Sequence, residues 1–214
     1  MKGRDLQKFV ERHLLPSLSG FAFGRRVIYA IPIEHVLCGL LFDSSGFSAE
    51  TFYPHAFVQP LYVPSEHLVL SFGDRLPSVW KFAVGREQEL ADRLVQNIRK
   101  QFMPLVASLR TPELFAKNAS RFSWFRKSNP HLAQAMAYSL AFSGEWKAAA
   151  KWLRTVEEII QKSKMKYEWE VALAGECRRF QDLLAGDPEG AQRQLAAWSE
   201  QTRNCLKLPS APAG

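Results

Sequence analysis

Residues 130–160, PHLAQAMAYSLAFSGEWKAAAKWLRTVEEII, decide how the second half of this chain is read. Leu132, Met136, Ala137, Leu140 and Ala141 recur at spacings of three and four, and so do Trp146, Ala149, Trp152, Leu153 and Val156. Each set makes one helical stripe. Gly144 lies between them, where a helix end needs a residue that tolerates positive φ. Two antiparallel helices joined at Ser143-Gly144 follow, with Ala137 and Ala149 small enough to bring the backbones close. No residue in the stretch looks catalytic, and it reads as chain built for binding.

The pattern returns 42 residues later, where SGEWKAAAKWLRTVEE aligns with AGDPEGAQRQLAAWSE. Gly144 matches Gly186, Glu145 matches Asp187, Ala149 matches Ala191 and Leu153 matches Leu195. The run Ala137, Gly144, Trp146, Ala149 resembles the tetratricopeptide helical hairpin, whose period is about 34 residues. Here Pro188 replaces the aromatic in the second copy, and there are two copies. A true repeat and two ordinary packed hairpins are both open. Either way, residues 130–205 form a helical layer that must bury one face.

The chain of 214 residues is 47% hydrophobic and 12% aromatic, enough to bury a sizeable core. The end, Pro209 to Gly214, reads as a frayed tail. The N-terminal MKGRDLQKFVERH has charges where a signal peptide needs its apolar region, and no apolar run approaches the roughly 20 residues of a membrane helix. A soluble, cytoplasmic protein is expected, with no membrane contact. Cys38, Cys177 and Cys205 are too scattered for a disulfide framework or a zinc knuckle. Cys38, inside HVLCGLLF, reads as a buried thiol.

Net charge is +7, and it is uneven. Residues 1–127 hold 17 basic against 11 acidic side chains, and residues 128–214 hold 11 against 10. From Arg93 to Lys127 there are eight basic residues and one acidic, Glu113. Such a patch attracts nucleic acid or an acidic protein surface.

In chain order, residues 4–15 make an amphipathic helix with Leu6, Phe9, Val10 and Leu14 inward, ended by Pro16. Gly20 and Gly24 flank a turn into strands. Residues 25–33 and 35–42 are strands, the second apolar on both faces and so central. Residues 47–63 form a third strand region that Pro54 and Pro60 suit to an edge or an irregular course. Residues 67–72 are a fourth strand, and 78–84 a fifth. Residues 86–109 make a long helix with Leu90, Leu94, Ile98, Phe102, Leu105 and Leu109 on one stripe. Its opposite face carries Arg86, Arg93, Gln96 and Lys100, and Pro104 should kink or split it. Thr111 caps a short helix with Pro112 at its first position. Residues 121–130 link to the helical layer, and residues 161–166 link its two hairpins.

FVERHLLPSLSGFAF, with Phe9, Leu15, Pro16, Leu18, Gly20 and Phe21, resembles the opening of a bacterial α+β domain family of unknown function. Pro104, Leu105, Leu109 and Leu114 carry the likeness at the other end, over residues 5–117. Members of such families look like immunity proteins of polymorphic or contact-dependent toxin systems. The resemblance implies a scaffold with one surface complementary to a toxin and no active site.

Phosphate-loop, dinucleotide, zinc-protease and nucleophile-elbow motifs are absent. His13, His35, His55, His67 and His131 pair with no other His or Cys at ligand spacing. Glu34-His35 and Glu66-His67 enter strands, where neighbours face opposite ways. No metal or cofactor is expected. The sharpest functional stretch is KNASRFSWFRK, where Lys117, Arg121, Arg126 and Lys127 interleave with Phe122, Trp124 and Phe125. Aromatics stack on bases while cations meet phosphates. The same mixture makes protein hot spots, or it simply docks a linker. Trp146, Trp152, Trp169 and Trp198 read as core, and Glu157, Glu158, Glu168 and Glu170 as a solvated face.

The expected fold is α+β: an N-terminal helix, an antiparallel sheet and a long helix, then a four-helix layer of two antiparallel hairpins. The expected parts are residues 1–117, a basic–aromatic linker 118–129, the helical layer 130–205 and a disordered tail 206–214. The expected function is non-catalytic protein binding, as an immunity protein (antitoxin) that neutralises a cognate toxin. The alternative is RNA or DNA binding by residues 117–127. Partner-binding residues on either reading are Arg93, Lys100, Lys117, Arg121, Phe122, Trp124, Arg126 and Lys127.

Overall fold

The computed structural model describes residues 3–46, 48, 50–163 and 167–209. Residues 47 and 49 of the third strand region, 164–166 of the second linker and 210–214 of the expected tail lie outside the described residues. The chain is α+β, with an antiparallel sheet and a helical C-terminal region. It forms two compact units. The first is built from Met1–Gln59 and Val69–Arg110, the second from Pro60–Leu68 and Thr111–Ser210.

In the first unit, α1 (Gly3–Phe9) runs on through a π-turn at Val10–Leu14 and a 3₁₀ turn at Leu15–Ser17. Leu6, Phe9, Val10 and Leu14 are buried, as their spacing requires. Pro16 is the second residue of the 3₁₀ turn, and the helical path ends one residue beyond it. The strands are β1 (Phe21–Gly24), β2 (Val27–Ala30), β3 (Val36–Ser44), β4 (Thr51–Pro60), β5 (Gly73–Arg75) and β6 (Trp80–Lys81). The sheet order is β1-β2-β3-β4-β5, with β6 also on β4. β3 is central and buried along both faces.

Residues 25 and 26, read as the start of a strand, are instead the turn of a hairpin. β1 and β2 pair from Phe21↔Ala30 to Gly24↔Val27, and Arg25 and Arg26 turn the chain with φ of 51° and 70°. That is the mirror-image turn that matches strand twist, normally made by Asn-Gly or Asp-Gly. β4 is an interior strand, which corrects the edge expectation, and it runs through Pro54 with its pairing divided, the irregular course that was the other expectation. It pairs with β6 at Thr51↔Lys81 and Phe52↔Trp80, then with β5 from His55↔Arg75 to Phe57↔Gly73. Pro54 falls between these two registers, and its carbonyl accepts the Leu76 N–H at 2.8 Å. Residues 67–72 are not a strand, since pairing moves to Gly73–Arg75. A Cβ at Gly73 would overlap the Ala56 carbonyl oxygen and Phe57 Cα, so the close approach needs glycine there.

The long helix consists of α2 (Glu87–Asn97), a π-turn (Ile98–Phe102) and α3 (Met103–Leu109). Its six-residue apolar stripe is buried throughout. The π-turn is how the helix absorbs Pro104, whose ring displaces the carbonyl four residues back.

In the second unit, α4 (Pro112–Asn118) starts as expected: Thr111 Oγ1 accepts the Leu114 N–H at 3.2 Å, and Pro112 follows the cap. α5 (Pro130–Phe142), α6 (Trp146–Lys162), α7 (Glu168–Gly186) and α8 (Pro188–Cys205) are the four expected helices. Asn129 caps α5 and Asp187 caps α8, each followed by proline. Pro188 therefore stands where an aromatic was expected because it starts a helix. Gly144 has φ of 80°, as the turn demands. Ala149 and Ala191, matched in the alignment, are both fully buried, as are Leu153 and Leu195. α5 packs on α4, α6 and α8, and every residue from Leu132 to Ser139 is buried. Its Ala-rich, all-round apolar sequence suits that central place.

Tyr62, in the segment after β4, reaches this core. Ser139 Oγ donates to the Ala135 carbonyl at 2.6 Å, so Tyr62 Oη is the donor in its own 2.6 Å bond to Ser139. At the chain's end, the Leu208 N–H meets the Arg203 carbonyl, and buried Arg203 donates to the Pro209 carbonyl at 3.1 Å.

Candidate functional site

The stretch 117–127 is held from both ends by caps, Thr111 on α4 and Asn129 on α5. After α4, a 3₁₀ turn (Ala119–Arg121) leads into tight turns, with Phe125 N–H on the Phe122 carbonyl at 3.0 Å and Asn129 N–H on the Arg126 carbonyl at 2.9 Å. Trp124 anchors this loop. It is 9% exposed and packs on Phe115 and Phe122, at ring separations of 6.2 and 5.6 Å. Phe125 meets Trp152 edge-on. Arg126 Nη1 turns back onto the Ser123 and Phe125 carbonyls.

So the eight expected partner-binding residues separate by role. Trp124 lies in the interior, Phe122 is half-buried against it, and Arg126 closes its own loop. Lys117, Arg121 and Lys127 stand exposed, with no ion-pair partner among the described residues. Arg93 on α2 and Lys100 in the π-turn are exposed too, but they belong to the first unit.

Lys127 also reaches a feature the sequence reading missed. A groove of about 590 Å³ in the second unit is lined by Lys127, Pro130, Thr155, Ile159, Lys162 and Trp169, among others. Trp169 was expected in the core. It is 46% exposed, and His131 stacks on it at 5.1 Å. Tyr167 and Val171, at the same start of α7, are exposed as well. Trp146, Trp152 and Trp198 are half-buried. Glu170 is not on a solvated face: it is buried, and its carboxylate accepts the Tyr167 N–H at 3.0 Å, which locks the helix start. Glu157 pairs with Arg178 at 3.1 Å. Exposed Tyr, Trp and Val within five positions break the 3.6-residue pattern, and that break was the available signal.

Burial pushes the Cys38 and Cys177 thiols up to about 12, which makes them poor nucleophiles. Tyr138 is raised by burial and donates to Glu176 Oε1 at 3.1 Å inside the helical unit. On the sheet, Arg75 pairs with Asp43 at 3.3 Å and lies over the Tyr53 ring. His55 faces Arg75 across the strands, and burial lowers its pKa. Its Nε2 is shut off from solvent, so it is not placed to take a proton from a substrate. Among the described residues no group of three or more His, Cys, Asp or Glu could hold a metal ion, and no helix is long and apolar enough to cross a membrane. Compared with family models, curated proteins and solved structures, the chain has no match.

Proposed function

We propose that this chain is a non-catalytic protein-binding module, and that its partner docks on the second unit at the Lys127–Trp169 groove. The carrying observation is the exposed Trp169, stacked on His131 in a groove whose charged lining is Lys127, Lys162, Glu158 and Glu170. A partly buried aromatic inside a charged rim is what protein hot spots are made of. Burial of Trp124 weighs against single-stranded nucleic acid, because the aromatic best placed among the cations has no face left for a base. Together with the likeness to immunity proteins, this favours an antitoxin that occludes a cognate toxin, with exposed Lys117, Arg121 and Lys127 speeding its approach to an acidic surface.

Capture from source-cell lysate at moderate salt, with and without nuclease, tests this. A stoichiometric protein that survives nuclease supports the reading. Recovery of nucleic acid that disappears on nuclease treatment would replace it with the RNA- or DNA-binding alternative.

A further inference from the structure

The first unit carries a second cleft, of about 350 Å³, between β6 and the start of α2. Its chemistry is unbalanced. Arg86, Lys81 and Arg93 face it, with Glu89 as the acidic side chain. Glu89 is already engaged: the Arg86 guanidinium holds it in a fork, Nε to Oε2 at 2.9 Å and Nη2 to Oε1 at 2.9 Å. At the start of α2, the backbone N–H groups of Glu87 itself and of Gly85 hold the Glu87 carboxyl below the usual range. Lys81 and Arg93 are left as cations with no carboxylate partner among the described residues.

Arg93 is held in place. Its guanidinium lies over the buried Trp80 ring, 5.4 Å from the centroid. That stacking reduces the freedom a long side chain would lose on binding. Apolar surface stands beside the cations. Val79, in the cleft wall, is 57% exposed, and the turn that Arg86 N–H closes onto the Ala83 carbonyl, with Gly85 at φ of 83°, bounds the cleft at Ala83.

We infer that this cleft docks an acidic segment of a partner protein, its carboxylates on Lys81 and Arg93 and an apolar side chain against Val79. The kind of partner rests on the protein-binding reading, but the site does not depend on the groove in the second unit.

The probe is a fluorescein-labelled peptide of Asp and Glu with a central Leu, beside its Asn/Gln counterpart. The acidic peptide should bind, weaken with salt and move the indole N–H signal that Trp80→Phe removes. The Lys81→Glu/Arg93→Glu variant should lose roughly tenfold or more in affinity, while the Asn/Gln peptide should not bind. Val79→Ser, at an exposed position of the cleft wall, should weaken binding without unfolding the unit. The inference is overturned if the acidic peptide does not bind, or binds the charge-reversed variant equally. It also fails if binding is lost only with Lys127→Glu/Trp169→Ala, which would leave the groove standing alone. An oligonucleotide of equal charge that binds more tightly would reassign the cleft to phosphate. Loss of lysate capture by the groove variant with peptide binding intact would separate the two readings.

Discussion

Replacing Trp124 by alanine tests whether the basic–aromatic stretch is a scaffold or a contact surface. The side chain is 9% exposed and packs between Phe115, which is fully buried, and Phe122. Large-to-small changes of buried aromatics cost about 3–5 kcal/mol. The turns around residue 124 can settle partly into the space, which favours the lower end. For a chain of this size each kcal/mol lowers Tm by roughly 2–4 °C, so a fall of about 6–15 °C is expected. Calorimetry would measure it. Hydrogen exchange should place the loss at the amides of α4 and α5, the elements this loop joins. Trp124→Phe keeps most of the contact and should lose less than half as much. A Trp124→Ala protein with unchanged Tm but weakened partner binding would refute the reasoning, because that is how an exposed hot-spot residue behaves.

Other outcomes follow from the same geometry. Gly73→Ala drives a Cβ into the β4 backbone and should destabilise the first unit by about 1–3 kcal/mol, read by denaturant unfolding. Under native conditions a thiol reagent should modify exposed Cys205 and spare Cys38 and Cys177, with all three reacting once the chain is unfolded. His55 has its folded pKa held below the usual value by burial, so its contribution is intact above about 6.5. As pH falls through that range the unfolded chain takes up the proton first, and stability drops. His55→Gln should remove part of the decline between about pH 8 and pH 5; an unchanged pH profile would assign it to other groups.

The helical unit was legible because its signals are local. Apolar spacing marked α5 and α6, Thr111-Pro112 marked a start and Gly144 a turn, and each acts within a few residues. The sheet was less legible where function of position overrode composition. Arg25-Arg26 makes a left-handed turn without the usual residues, and the Val27 to Leu41 pairing that fixes it lies far along the chain. Pro54 marked either an edge or an irregular course. Only the division of β4's partners into β5 and β6 explains how an interior strand tolerates it. At the candidate site, charge was readable and exposure was not. Trp124 and Trp169 carry the same side chain beside similar cations, and tertiary packing buries the first and exposes the second.

The most direct test of the protein-binding account is the affinity of the captured partner for Trp169→Ala, measured against Arg121→Ala by calorimetric titration. Trp169→Ala should cost about 2 kcal/mol or more, roughly thirtyfold in Kd, while Arg121→Ala should change it by less than about fivefold. Binding that is indifferent to Trp169→Ala would contradict the account.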